Sequence, residues 1–177
     1  MKRLPTLIIL LAIFLTPGLT LGQEGECIEG DCINGQGVFG FSIGSLNGSI
    51  YRGEFRDGKI HGHGTITYPD GSVYEGEWKN NLPNGHGTMT YFYGEKYVGE
   101  FKNGIRHGYG THTYGNIMEY EGEWKNDIPS GEGTMTYSDG RKYVGGIKGF
   151  KYHGQGTLSY PDGRLYSGEW KNGKRIR

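Results

Sequence analysis

The chain has 177 residues, of which 35 are glycine and 14 tyrosine, and only 34% are hydrophobic, a composition that excludes a thick two-layer core. Nineteen basic side chains balance 19 acidic ones, and setting aside Lys2 and Arg3 leaves 17 basic against 19 acidic. A chain without a clustered positive surface is not built for nucleic acid, and the basic tail KNGKRIR is read as a solvated end.

The first segment, residues 1–22, reads as a secretory signal peptide: Lys2 and Arg3, the apolar run Leu7 to Leu15, then Pro17 and Gly18, with cleavage after Gly22. The run is shorter than the roughly 20 residues that span a bilayer, so a retained anchor is the lesser alternative. The expected location is secreted or periplasmic, in the cell envelope. Residues 23–50 form an N-terminal cap holding Cys27, Cys32 and a degenerate half-repeat, CINGQGVF. In an oxidising compartment two nearby cysteines point to a local disulfide rather than a metal site, which wants about four ligands; free thiols and intermolecular pairing stay open.

From Tyr51 the chain repeats. Tyr51, Tyr74, Tyr97, Tyr120, Tyr143 and Tyr166 are each 23 residues apart, and glycine pairs such as Gly62 and Gly64, or Gly85 and Gly87, keep the same step. Residues 51–177 are therefore an array, with units starting at 51, 74, 97, 120 and 143 and a partial unit at 166. In YEGEW, Tyr74, Gly76 and Trp78 alternate with Glu75 and Glu77, and GTMTY alternates again, so each is a strand. The segment KNNLPNGH between them is read as a turn or loop, and Asp70-Gly71, Asp139-Gly140 and Asp162-Gly163 as tight turns. Each repeat is one hairpin and the fold class is all-β: an elongated, twisted, single-layer antiparallel meander of β-hairpins. With no helix to cover the sheet, aromatic rings are expected to lie across the bare backbone of glycines on neighbouring strands.

A second period overlies the first. Trp78, Trp124 and Trp170 are 46 residues apart, as are His61, His107 and His153, so tryptophan units with a proline loop (Pro83, Pro129) alternate with phenylalanine units. The fifth unit has Gly145-Gly146-Ile147 in place of GEW or GEF, and weaker packing is expected there.

The sequence pattern YxGEW or YxGEF, a turn, then GxGT and a tyrosine at a step of 23 resembles the membrane occupation and recognition nexus (MORN) repeat family from Tyr51 onward. With the leader, the chain is similar to an exported, bacterial-type member. The resemblance implies a sheet curved into a groove, and a scaffolding, dimerising or lipid-contacting role without catalysis.

Other chemistries fit poorly. The glycines lack the GK[ST] ending of a phosphate loop. Histidines two repeats apart sit roughly 20 Å from one another, too far to share a metal. The ladder Glu54, Glu77, Glu100, Glu123 and Glu169 steps by about 10 Å on an open face, which suits cross-strand pairing with Lys, Arg or threonine better than paired-carboxylate hydrolysis. No catalytic residue, metal ligand or cofactor is assigned. The candidate interaction surface is the row Tyr51, Tyr74, Trp78, Tyr97, Phe101, Tyr120, Trp124, Tyr166 and Trp170, although rings packed on glycine also stabilise the sheet itself. The expected function is a non-enzymatic exported scaffold for a protein partner or for self-association, with no nucleic acid and no small-molecule substrate. A phospholipid-binding module is the alternative, disfavoured by near-zero charge; an envelope hydrolase using the acidic ladder is a distant third.

Overall fold

The computed structural model describes residues 24–177, and the signal peptide assigned to residues 1–22 lies outside the described residues. Fourteen strands follow one another: β1 (Gly25–Gly30), β2 (Gln36–Phe41), β3 (Ile50–Arg56), β4 (Lys59–Thr67), β5 (Val73–Lys79), β6 (Leu82–Thr90), β7 (Lys96–Lys102), β8 (Ile105–Tyr114), β9 (Met118–Lys125), β10 (Ile128–Tyr137), β11 (Lys142–Lys148), β12 (Lys151–Ser159), β13 (Leu165–Lys171) and β14 (Lys174–Arg175). They pair in sequence order into one open antiparallel sheet, and the only helical element among the described residues is a 3-10 turn, Gly44–Leu46.

The segment KNNLPNGH, expected as a loop, is mostly strand. Asn80 and Asn81 alone make the turn, with φ of +50° and +71°, and β6 begins at Leu82. Positive φ at both central residues matches the right-handed twist of a hairpin, and Asn, Asp and Gly tolerate it best. Asp57-Gly58, Asn103-Gly104, Asn126-Asp127 and Asn172-Gly173 turn in the same way. The Pro-Asn-Gly segment then forms a wide bulge: Gly76 faces Gly87 while Trp78 faces Pro83, leaving Asn84, Gly85 and His86 opposite Glu77 alone. Equivalent register shifts occur in the hairpins β3–β4, β7–β8, β9–β10 and β11–β12.

The bulge explains the glutamates, which do not pair with Lys, Arg or threonine as expected. Glu77 Oε1 accepts the backbone N–H of His86 at 2.7 Å, and Glu54, Glu100 and Glu123 accept those of His63, Tyr109 and Glu132 at 2.8, 2.8 and 3.1 Å. Each carboxylate satisfies a donor that the bulge removes from the ladder. A Cβ on Gly85 would lie 2.6 Å from the Glu77 carboxyl carbon, so glycine makes room for the acid.

The register also aligns the second glycine of every pair with the glycine two residues after each repeat tyrosine. Gly37, Gly53, Gly64, Gly76, Gly87, Gly99, Gly110, Gly122, Gly133, Gly145, Gly156 and Gly168 face one another in an unbroken row from β2 to β13. On one face the tyrosines cover this row: a Cβ on Gly87 would meet the Tyr74 hydroxyl at 2.4 Å. Tyr74, Tyr97, Tyr120 and Tyr143 each donate the hydroxyl to a carbonyl three residues ahead, at 2.8–3.0 Å. Trp78, Trp124 and Trp170 reach back one hairpin and donate Nε1–H to the carbonyls of Gly64, Gly110 and Gly156. Edge-to-face contacts link the rings from Phe55 through Tyr51, Trp78, Tyr74, Phe101, Tyr97 and Trp124 to Tyr120, with centroids 5.0–5.4 Å apart. That geometry suits the ring quadrupoles. At Ile147 the aromatic chain is interrupted; Ile147 is itself buried, and Phe150 packs on Tyr114, Tyr120 and Trp124.

Candidate docking groove

The face opposite the rings carries a groove of about 910 Å³ that crosses the strands from β1 to β7. Its floor is the backbone of the glycine row. One wall is the row Glu29, Val38, Arg52, Thr65, Glu75, Thr88 and Val98, whose members face one another in register; the other holds Gln36, His63 and His86. Because side chains alternate along a strand, residues on either side of a glycine project to this same face and flank it. Arg52, His63, Glu75, His86 and Val98 are exposed, Thr65 and Thr88 half-buried. The walls are thus rich in donors: a guanidinium, an amide, two imidazoles and two hydroxyls.

The groove stops where a side chain crosses it. Tyr109 on β8 lies on the same wall as His63 and His86, and its hydroxyl reaches over the glycine row to Glu121 Oε1 on β9, at 3.3 Å. Partial desolvation and the Glu121 carboxylate push the Tyr109 pKa upward. At the other end Cys27 and Cys32 are bonded, with Cα atoms 5.9 Å apart, closing the turn between β1 and β2.

The rings singled out in the sequence lie on the opposite face, and most of them are covered. Tyr51, Tyr74, Trp78, Tyr97, Phe101, Tyr120, Trp124 and Trp170 are at most 8% exposed, whereas Tyr166 is 36% exposed. They are the core of the sheet, and the surface they leave to solvent is small. Burial is the first cause that raises the Tyr51, Tyr74, Tyr97 and Tyr120 pKa values far above the ordinary one, so all four stay protonated donors. Among the described residues, no group of three or more His, Cys, Asp or Glu is placed to hold a metal ion.

One polar cluster in the ring face was not singled out in the sequence. Arg106 lies over the Trp124 ring at 4.5 Å, donates Nε–H to Asp127 Oδ1 at 3.0 Å, and has Nη1 2.9 Å from His112 Nδ1. His112 is 3% exposed, and its Nε2 sits 3.4 Å from Glu95 Oε2 without hydrogen-bond geometry. Burial first, and the Arg106 charge second, push the His112 pKa down to about 4. The signal was present in the repeat alignment: His112 stands where other units have Ile66, Met89, Met135 and Leu158, and Arg106 where they have Ile60, Pro83, Pro129 and Tyr152. Arg106 and Asp127 serve each other within the fold and leave the cluster mainly structural.

Residues 51–73, 74–92, 97–116, 120–140, 143–163 and 166–175 match the family model described as MORN repeat, more than half of the chain. No curated protein matches. Among solved structures, the chain is similar to the SAS-4 (dCPAP) TCP domain of Drosophila melanogaster, solved in complex with a proline-rich motif of Ana2 (dSTIL). The identity is 12%, over 94% of this chain and 99% of that one, with a TM-score of 0.45. It is also similar to the wild-type TCP10 domain of Danio rerio CPAP in complex with a peptide of STIL, at 20% identity over 77% of this chain and 65% of that one, with a TM-score of 0.34.

Proposed function

This chain belongs to the MORN repeat family, and we propose that it is a non-enzymatic, exported scaffold that binds a protein partner, or a second copy of itself, in the groove opposite the rings. The observation that carries the reading is the division of labour between the two faces. One face spends its aromatic residues on the core, while the other presents exposed polar side chains in register along a glycine floor. The acidic ladder supports a non-enzymatic reading, because Glu54, Glu77, Glu100 and Glu123 are held as acceptors for bulge N–H groups. Export rests on the leader, and places the Cys27–Cys32 bond in an oxidising compartment where it persists.

The test is affinity capture from the native extracytoplasmic fraction with the full chain and with Thr88→Trp, which fills the groove, alongside sedimentation over a concentration series. The wild type should capture a partner or self-associate, and Thr88→Trp should do neither. A wild type that stays monomeric and captures nothing, or a folded Thr88→Trp that behaves identically, overturns the proposal.

A further inference from the structure

We propose that the groove takes a proline-rich segment in the polyproline II conformation, lying across the strands; this rests on the docking reading above and names its ligand. Three observations carry it.

The first is the period. A hairpin contributes two strands, so equivalent wall residues such as Thr65 and Thr88 recur every ~9.6 Å along the groove. Polyproline II advances ~9.3 Å per turn of three residues. An α-helix at 5.4 Å per turn, or a β-strand at about 6.6–6.8 Å per side-chain repeat, falls out of step with the walls within one hairpin. Only the polyproline helix offers the same face to each hairpin in turn.

The second is the hydrogen-bonding state of the floor. Strands β2 to β6 each pair on both sides, so their backbone groups are already engaged and cannot extend the sheet to an incoming strand. A ligand crossing them must bring a backbone that needs no ladder. Polyproline II has no internal hydrogen bonds and projects its carbonyls outward, and proline brings no N–H that would be left unpaired.

The third is complementarity. Such a ligand is a row of acceptors with apolar ring surface between them, and the walls supply donors at Arg52, His63, Thr65, His86 and Thr88, with Val98 at the far end. Glu29 and Glu75, both exposed in the wall row, each select a basic residue, one near the β1 end of the segment and one further along it. The groove crosses seven strands, about 29 Å in six steps, which accommodates about nine residues at 3.1 Å each.

Fluorescence anisotropy with labelled hexa-, nona- and dodecaproline tests this on the full chain, against a nine-residue Gly-Ser peptide and a β-linked oligosaccharide. Affinity should rise at least tenfold from six to nine residues and change less than twofold from nine to twelve. The pair Thr65→Val and Thr88→Val, which removes two hydroxyls at nearly constant shape, should weaken nonaproline at least fivefold with an unchanged near-UV spectrum. Equal binding of the Gly-Ser peptide, no dependence on length, or preference for the oligosaccharide overturns the proposal. If nonaproline fails to bind while capture or self-association still depends on Thr88, the ligand assignment falls and the docking groove stands. If Thr88→Trp changes neither, both fall.

Discussion

The hydroxyl of Tyr109 donates to Oε1 of Glu121 across the glycine row, at 3.3 Å, and this single bond marks the end of the groove. Beyond it the same row continues through Gly110, Gly122 and Gly133, so the floor extends further than the open groove. Tyr109→Ala should lengthen the groove by about one hairpin. The peptide length at which polyproline affinity levels off should then move from about nine residues to about twelve, with three residues per ~9.6 Å step. A plateau that stays at nine residues would show that Tyr109 is not the stop.

Gly87 and Tyr74 test the ring-on-glycine packing. A Cβ at Gly87 would come within 2.4 Å of the Tyr74 hydroxyl and 2.6 Å of its ring, so Gly87→Ala should destabilise by ~1–3 kcal/mol through overpacking. Tyr74→Phe removes only the 3.0 Å hydroxyl bond to the Glu77 carbonyl and should cost ~1 kcal/mol. Urea unfolding of both variants should rank Gly87→Ala as the more damaging.

Glu77 should matter as a cap for the bulge. Glu77→Ala removes the 2.7 Å acceptor of the exposed His86 N–H, at a cost of ~0.5–1.5 kcal/mol. The fifth unit shows the alternative solution: with Gly146 in the glutamate position, a Cβ there would meet the His153 carbonyl at 2.1 Å. The bulge has closed over the missing side chain. Gly146→Glu, which restores the repeat consensus within this chain, should therefore destabilise, and thermal unfolding of that variant checks it.

His112 predicts the acid limb of the stability curve. Its folded pKa of about 4 lies below the ordinary 6.5, so as pH falls from 6.5 the unfolded chain takes up the proton first. Stability should be level above pH 6.5, fall between 6.5 and about 4, and stop falling from this cause below that. His112→Met, which places there the residue found at Met89 and Met135, should flatten the decline, as thermal midpoints between pH 7.5 and 4.5 would show. An identical decline in both proteins would remove His112 as its source.

The period of 23, the hairpins and the tyrosines lying on glycine were legible because strand alternation and glycine spacing are local signals that survive in the sequence. The turns at Asn80-Asn81 and Asn126-Asp127 were not, because Pro83 and Pro129 argued for loops. In the fold each proline begins a bulge opposite a tryptophan, a place in a strand where its missing N–H is tolerated. The partners of the glutamates were hidden for the same reason: a bulge of three residues against one is a register relation between strands, which spacing along a single strand does not encode. A groove was implied by the family resemblance, but its lining was not legible, because that face is built from threonines, histidines and bare glycine backbone, each an ordinary strand residue taken alone. Only the register of the whole sheet lines them up.

The most direct test of the central claim maps where a ligand touches the folded chain. Backbone amide chemical shifts of the full chain, titrated with nonaproline or with a captured partner, should move at Arg52, Gly53, His63 to Thr65, Glu75, Gly76 and His86 to Thr88, and remain still at the ring-face residues Ile60, Tyr120 and Tyr152. Shifts concentrated on the ring face or on the β13 edge, with the groove residues unmoved, would contradict the account.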